Sequence, residues 1–253
     1  MSNKIPGIYN ICDRWCERCI YQSKCVLFER EEEAEHQDDE QGIENFSDSA
    51  MQQLGDAFSD LNDLLNDFCA SEENINNLSP NLKDNKPEVT DDKYEDLRVE
   101  SKKLTSAAFT LIDEIIDRID ADEMDFVRGA LVKNQKQAEK LALDVTAAID
   151  VLKWHSTFIH SKVLRIIMEL SDAEFDNVTL TFDGKTYLAT KLTARLLYTA
   201  LLELQEALLT IYNGTTLGTV LIPEMVQGVE KIIEMVKDFN PGIEDFKRPY
   251  FDN

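Results

Sequence analysis

The sequence predicts an all-α protein, an antiparallel bundle of four to five helices preceded by a short cysteine-rich segment. Three observations carry that reading. Apolar residues recur at alternating spacings of three and four along most of the chain, as on one face of an α-helix. Only 9 glycines and 6 prolines occur in 253 residues, and most fall between the periodic stretches. Each stripe is apolar on one side only, so four successive helices can bury their stripes only against one another.

In chain order, residues 1–35 form the cysteine-rich segment, and residues 29–44 (EREEEAEHQDDEQGIE) are an acidic run read as a solvated helix end and linker. Met51, Leu54, Phe58, Leu61, Leu65 and Phe68 place an amphipathic helix at 46–70. Residues 71–92 lose periodicity and gather Asn, Ser and Pro, as a linker does. The bundle is expected over 93–240. Its first helix follows Thr90 as N-cap, with Asp91 and Asp92 in the first turn and a stripe of Leu97, Leu104, Ala108, Leu111, Ile115 and Ile119.

The longest helix is expected from about 124 to 171, on the order of 70 Å if unbroken. Its stripe is Ala138, Leu141, Val145, Ile149, Leu152, Ile159, Val163, Ile166 and Leu170. Residues 171–186 lapse in period, and VTLTF before Asp183-Gly184, without an evident second strand, reads as an extended loop. Leu197, Leu201, Leu204, Leu208 and Ile211 mark the next helix, with Asn213-Gly214 as its C-cap. Ile222, Met225, Val229, Ile232, Val236 and Phe239 mark the last, with Pro223 in its first turn and Asn240-Pro241-Gly242 as its stop. Residues 241–253 form a tail.

Against 26 Lys and Arg stand 49 Asp and Glu, a formal charge of -23. Such a field repels phosphate backbones and anionic lipid, so neither nucleic acid nor membrane is expected as a partner, and a protein partner is. Solubility alone accounts for the charge as well. No apolar stretch approaches the length of a bilayer span and residues 1–11 lack a signal-peptide core, so a cytoplasmic location is expected.

In a reducing compartment, clustered cysteines read as metal ligands or redox groups before disulfides. Cys12, Cys16, Cys19 and Cys25 lie within CDRWCERCIYQSKC, a C-x3-C-x2-C-x5-C run, and Cys69 stands apart beside Phe68 as a small hydrophobe. Four thiolates complete either a zinc site or a [4Fe-4S] cluster without another donor. Were the run helical, Cys12, Cys16 and Cys19 would spread along one face over about 10.5 Å, which a multi-iron cluster accepts more easily than one zinc ion. Arg14, Arg18 and Lys24 would offset the thiolate charge. The C-x3-C-x2-C portion matches the radical S-adenosylmethionine pattern, but the chain lacks the alternating strands and helices of that barrel.

On the long helix, His155 and Lys162 flank the core stripe; with Arg165 and Arg195 they are candidates for a pocket, and His155, Lys162 and Arg165 would make an anion-binding patch given space. Basic side chains beside a stripe also snorkel to water, and a histidine beside tryptophan is commonly a core residue. The one Glu-x-x-His pair, Glu33 with His36, lies in the acidic run, which argues against a di-iron bundle. No P-loop, G-x-G-x-x-G, G-x-S-x-G or H-E-x-x-H occurs, so no catalytic residue is singled out.

YNICDRWCERC at 9–19 with Lys24-Cys25 resembles the N-terminal signature of a group of bacterial proteins, commonest in Bacteroidetes-like genomes, with no established activity. Trp154, Ile159, Lys162 and Arg165 are similar to that group's long-helix motif. Asp183-Gly184-Lys185 with Lys191, Leu192 and Arg195 resembles the next segment, and Phe246-Lys247-Arg248-Pro249 with Phe251-Asp252 its tail. Ile20 departs from the pattern, which has proline there. The resemblance implies a helical fold and four cysteines acting as a unit. The function expected is that of a metal-binding helical-bundle protein of interaction or regulatory type; the alternative is an iron–sulfur redox protein or enzyme with a small-molecule pocket in the bundle.

Overall fold

The computed structural model describes residues 4–30, 92–120, 135–171 and 178–252. The helix expected at 46–70, the linker at 71–91, Cys69, Glu33, His36 and residues 124–134 lie outside the described residues. The chain divides into two compact units, Met1–Tyr9 with Cys16–Thr90, and Asn10–Trp15 with Asp91–Asn253.

The described residues of the second unit are mostly helical: α1 (Asp92–Asp120), α2 (Gln135–Ser171), α3 (Ala189–Gly214) and α4 (Leu221–Phe239). At 37 residues, α2 is about 55 Å long. Helices α1 and α2, α2 and α3, α3 and α4, and α4 and α1 are neighbours, which closes a four-helix ring. Paired levels give its direction. Glu114 of α1 meets Gly218, just before α4, and Glu100 meets Lys231 further along α4. His155 and Glu169 of α2 meet Glu203 and Thr193 of α3 in reverse order. Neighbouring helices therefore run antiparallel.

The stripes face inward as the periodicity predicts. Leu97, Leu111, Ile115, Leu152, Ile159, Val163, Leu197, Leu201, Leu204, Leu208, Ile211, Val229 and Ile232 are buried in one core. Burying a side chain of that size contributes about 1.5–3 kcal/mol.

Gly214 corrects one expectation. It lies within α3, and Thr215 follows it as C-cap with extended backbone and N–H donating to the Ile211 carbonyl. A Cβ on Gly214 would sit 2.5 Å from Val145 Cγ2, so glycine serves the close approach of α2 and not a left-handed cap.

The loop expected before Asp183-Gly184 is instead half of a hairpin, β1 (Thr179–Phe182) with β2 (Lys185–Leu188), in the register Thr179↔Leu188 to Phe182↔Lys185. Asp183 and Gly184 both take positive φ, 49° and 72°, the backbone of a two-residue turn matched to strand twist. The second strand escapes a sequence reading because Lys185-Thr186-Tyr187-Leu188 runs straight into α3 with no break. Two strands alone are marginal. Here Phe182 is buried with Ile11 and Leu192, and Tyr187, Phe246, Tyr250 and Phe251 pack around them.

Between α1 and α2, the fully buried Ser101 places its Oγ 2.9 Å from His160 Nδ1. Burial, then the nearby Lys102 and Arg98, holds His160 below the usual 6.5. Protonation thus favours the unfolded chain: the stability is present in full above about pH 6.5 and is lost as pH falls through the lowered folded-state value. Urea midpoints measured from pH 7.5 to 5 should fall, and His160→Gln should flatten that slope.

Candidate functional site

In the first unit, the run from Cys16 to Cys25 is built from tight turns and not from an α-helix. Cys16–Arg18 and Gln22–Lys24 are single 3-10 turns. Cys19 N–H donates to the Cys16 carbonyl at 3.0 Å, and that oxygen also accepts from Gln22 Nε2 at 2.6 Å. The Cys16 turn thus closes on Cys19, three residues on. Tyr21 N–H points at Cys19 Sγ, 3.4 Å away.

Cys25 is buried and its N–H donates to the Gln22 carbonyl at 3.0 Å. Ile5 N–H bonds the Lys24 carbonyl at 2.9 Å, and Lys4 pairs with Glu29 at 3.1 Å, so the start of this unit is fastened beside Cys25. Ile20 is 83% exposed.

Cys12 belongs to the second unit, in residues 10–15. Tryptophan anchors one end of this short segment. Trp15 stacks on Trp154 with ring centroids 5.3 Å apart, and Trp154 Nε1 donates to the Asp13 carbonyl at 3.1 Å. The other end is fixed by Ile11, fully buried with Phe182 and Leu192, whose carbonyl accepts from Arg248 at 3.4 Å. Leu192 adjoins Thr193, which bonds Glu169. The segment therefore runs from Trp154 of α2 to the hairpin core at Phe182 and Leu192. Arg14 takes φ 63°, a left-handed conformation unusual for a residue with a side chain.

All four cysteines are reduced thiols, soft donors of the kind zinc and iron–sulfur clusters use. Among the described residues, no three His, Cys, Asp or Glu side chains already converge as a metal-holding group.

The basic candidates separate. His155 is 1% exposed; its Nε2 lies 3.0 Å from Glu203 Oε2, its ring meets the edge of Trp15, and its Nδ1 has no partner. It is a core histidine held by α3. Lys162 lies over the Phe158 ring, 4.9 Å from its centroid. Burial first, then Arg165 and Arg14, pull its ammonium below the usual lysine range, while Cys12 and Glu169 act in the opposite sense.

Arg165 Nε donates to Glu169 Oε1 at 2.8 Å. Arg195 is engaged elsewhere, donating to Asp252 Oδ2 at 3.0 Å and to the carbonyls of Ile243 and Glu244 at 3.0 and 2.8 Å. It clamps the tail and joins no pocket with His155. Depressions of about 250 and 300 Å3 are present; the first lies between α1 and α4 and is lined by Leu104, Ala107, Met225 and Gly228, and the second is on α1. None of His155, Lys162, Arg165 and Arg195 lines either one.

Glu169 and Trp15 were not among the sequence candidates. Trp15 carried a signal, since a large aromatic between two cysteines needs a surface to lie on; Glu169 carried none beyond its i, i+4 spacing from Arg165.

No family model, no curated protein and no solved structure matches this chain. No helix among the described residues is long and apolar enough to cross a membrane.

Proposed function

We propose that Cys12, Cys16, Cys19 and Cys25 take up a metal, and that the protein is a metal-binding helical-bundle module that acts through a protein partner. The observation that supports the metal most directly is the tight turn that joins Cys16 to Cys19 and aims the Tyr21 N–H at the Cys19 sulfur. Four thiolates complete a zinc site or a [4Fe-4S] cluster without another donor; zinc is taken as the leading metal and the cluster as the second. The -23 charge supports a basic protein surface as the partner.

The test is elemental analysis, labile-sulfide assay and a visible spectrum on protein purified without air from cells supplied with zinc and iron. Near-stoichiometric zinc with no visible absorption, abolished by Cys16→Ser with Cys19→Ser, is the expected result. Iron with labile sulfide and broad visible absorption moves the reading to a redox centre. Protein free of both metals overturns it.

A further inference from the structure

We propose that two adjoining depressions on the exposed side of α1 receive a short acidic segment of a partner protein, an apolar side chain entering the first and a carboxylate resting in the second. The first, of about 250 Å3, lies between α1 and α4 over Leu104, Ala107, Met225 and Gly228. The second, of about 300 Å3, is lined by Arg98, Val99, Lys102, Lys103 and Ser106. Lys103 lines both, so one short segment can reach the two together.

Gly228 marks the first depression as a seat. It stands inside α4, where glycine is the least favourable residue after proline, and the usual reasons for a glycine do not apply to it. Its φ is not left-handed, and a Cβ placed on it would meet nothing within 4 Å. No neighbour in the bundle needs the space, unlike Gly214, where Val145 does. What glycine does here is hold open an apolar floor between Leu104, Ala107 and Met225. The volume falls below the roughly 300–1,000 Å3 of a small-molecule site, and it suits one or two side chains of a protein partner.

The charge of the second depression selects the partner's chemistry. The chain has 49 acidic and 26 basic residues, yet this depression gathers three cations and no carboxylate among its described lining residues. Glu95 pairs with Arg98, and Glu100 is shared between Lys103 and Lys231. Lys102 makes no ion pair among the described residues, so two carboxylates answer four cations. Charges at physiological ionic strength are screened beyond about 8 Å, so a carboxylate seated here responds to Arg98, Lys102 and Lys103 before it responds to the acidic surface elsewhere. A second copy of the chain would bring a whole charge of -23 to the contact, which disfavours it as the occupant. Among the described residues no cysteine lines either depression, so this inference and the metal reading fail separately.

The experiment is fluorescence polarisation of labelled short peptides titrated with the full chain, as purified. One peptide pool carries leucine, isoleucine or phenylalanine flanked by Asp and Glu; a second has serine at the centre, and a third exchanges the acids for Lys and Arg. The expected result is saturable binding of the first pool, at least tenfold tighter than of the other two and weakened by added salt. Lys102→Glu and Gly228→Leu should each weaken it at least tenfold. Gly228→Leu should melt at or above wild type, because leucine enters open space and favours the helix. Equal or tighter binding of the basic pool, no saturable binding of any pool, or affinity retained by both folded variants overturns the proposal. So does a dimer in sedimentation that Gly228→Leu dissolves, which makes a second copy the occupant.

Discussion

Asp252→Ala should destabilise the second unit by about 3 kcal/mol, the cost typical of leaving buried cations without their partner. The aspartate is 12% exposed and serves two arginines at once. Its Oδ2 accepts from Arg195 Nε at 3.0 Å and from the Arg248 backbone N–H at 3.0 Å, and its Oδ1 accepts from Arg248 Nη2 at 2.8 Å. Arg248 is itself 8% exposed and has no other carboxylate within reach among the described salt bridges. Arg195 would keep its two carbonyls, but Arg248 would be left buried with only the Ile11 carbonyl and the face of Phe251. For a protein of this size the loss corresponds to roughly 6–12 °C in melting temperature, read by calorimetry. Asp252→Asn should lose less, because the amide oxygen still accepts.

The same aspartate sets an acid limit. Burial alone would raise its pKa, but the hydrogen bonds from Arg248 and Arg195 outweigh burial and hold the carboxyl below its usual 3.8. The stability this contributes is present above about pH 4 and lost as pH falls through the lowered folded-state value. An acid titration followed through tryptophan fluorescence should lose Trp15–Trp154 stacking at higher pH in Asp252→Asn than in wild type.

Gly218→Val is expected to cost about 2–5 kcal/mol, from two separate causes. Gly218 takes φ +54°, and a Cβ there would meet Ile222 Cγ1 at 2.8 Å and Leu111 Cδ1 at 2.9 Å. Both contacts are core atoms of α4 and α1, and the Gly218 carbonyl accepts the Ile222 N–H at 2.8 Å to begin α4, so the backbone cannot simply move away. Gly242→Ala separates the causes. Its φ is +75° but nothing lies within 4 Å of the new carbon, so it should show the backbone cost alone, about 1 kcal/mol. Urea denaturation of the two variants checks the difference; equal losses would place the whole effect in the backbone.

These positions show what periodicity could and could not reveal. The stripes on α1 to α4 follow directly from a spacing of three and four, because burying one face is a property of each helix taken singly. The hairpin is different: Phe182 has four residues of strand on either side of Asp183-Gly184, and its burial depends on Ile11, far away in sequence. Gly214 read as a cap because glycine after asparagine at a helix end usually is one; that it makes room for Val145 is a fact about α2. Arg195 sat in a basic cluster on paper, yet its partner Asp252 lies 57 residues later. For the cysteine run, helical geometry is only one of the cases a sequence allows, and tight turns at Cys16 and Gln22 are what the chain forms. Long-range polar pairing leaves no periodic trace, so it is what a sequence reading omits.

The bond from Arg248 to the Ile11 carbonyl joins residues 237 positions apart. Protein synthesis gives that separation a direction in time. Ile11 leaves the ribosome ahead of α1 to α3, but the arginine that holds its carbonyl, and the aspartate that holds that arginine, are added after them. The hairpin core around Ile11 thus waits on the tail, and a nascent chain halted before Arg248 carries an unfinished, apolar edge by which the cell's quality-control machinery can tell it from a finished one.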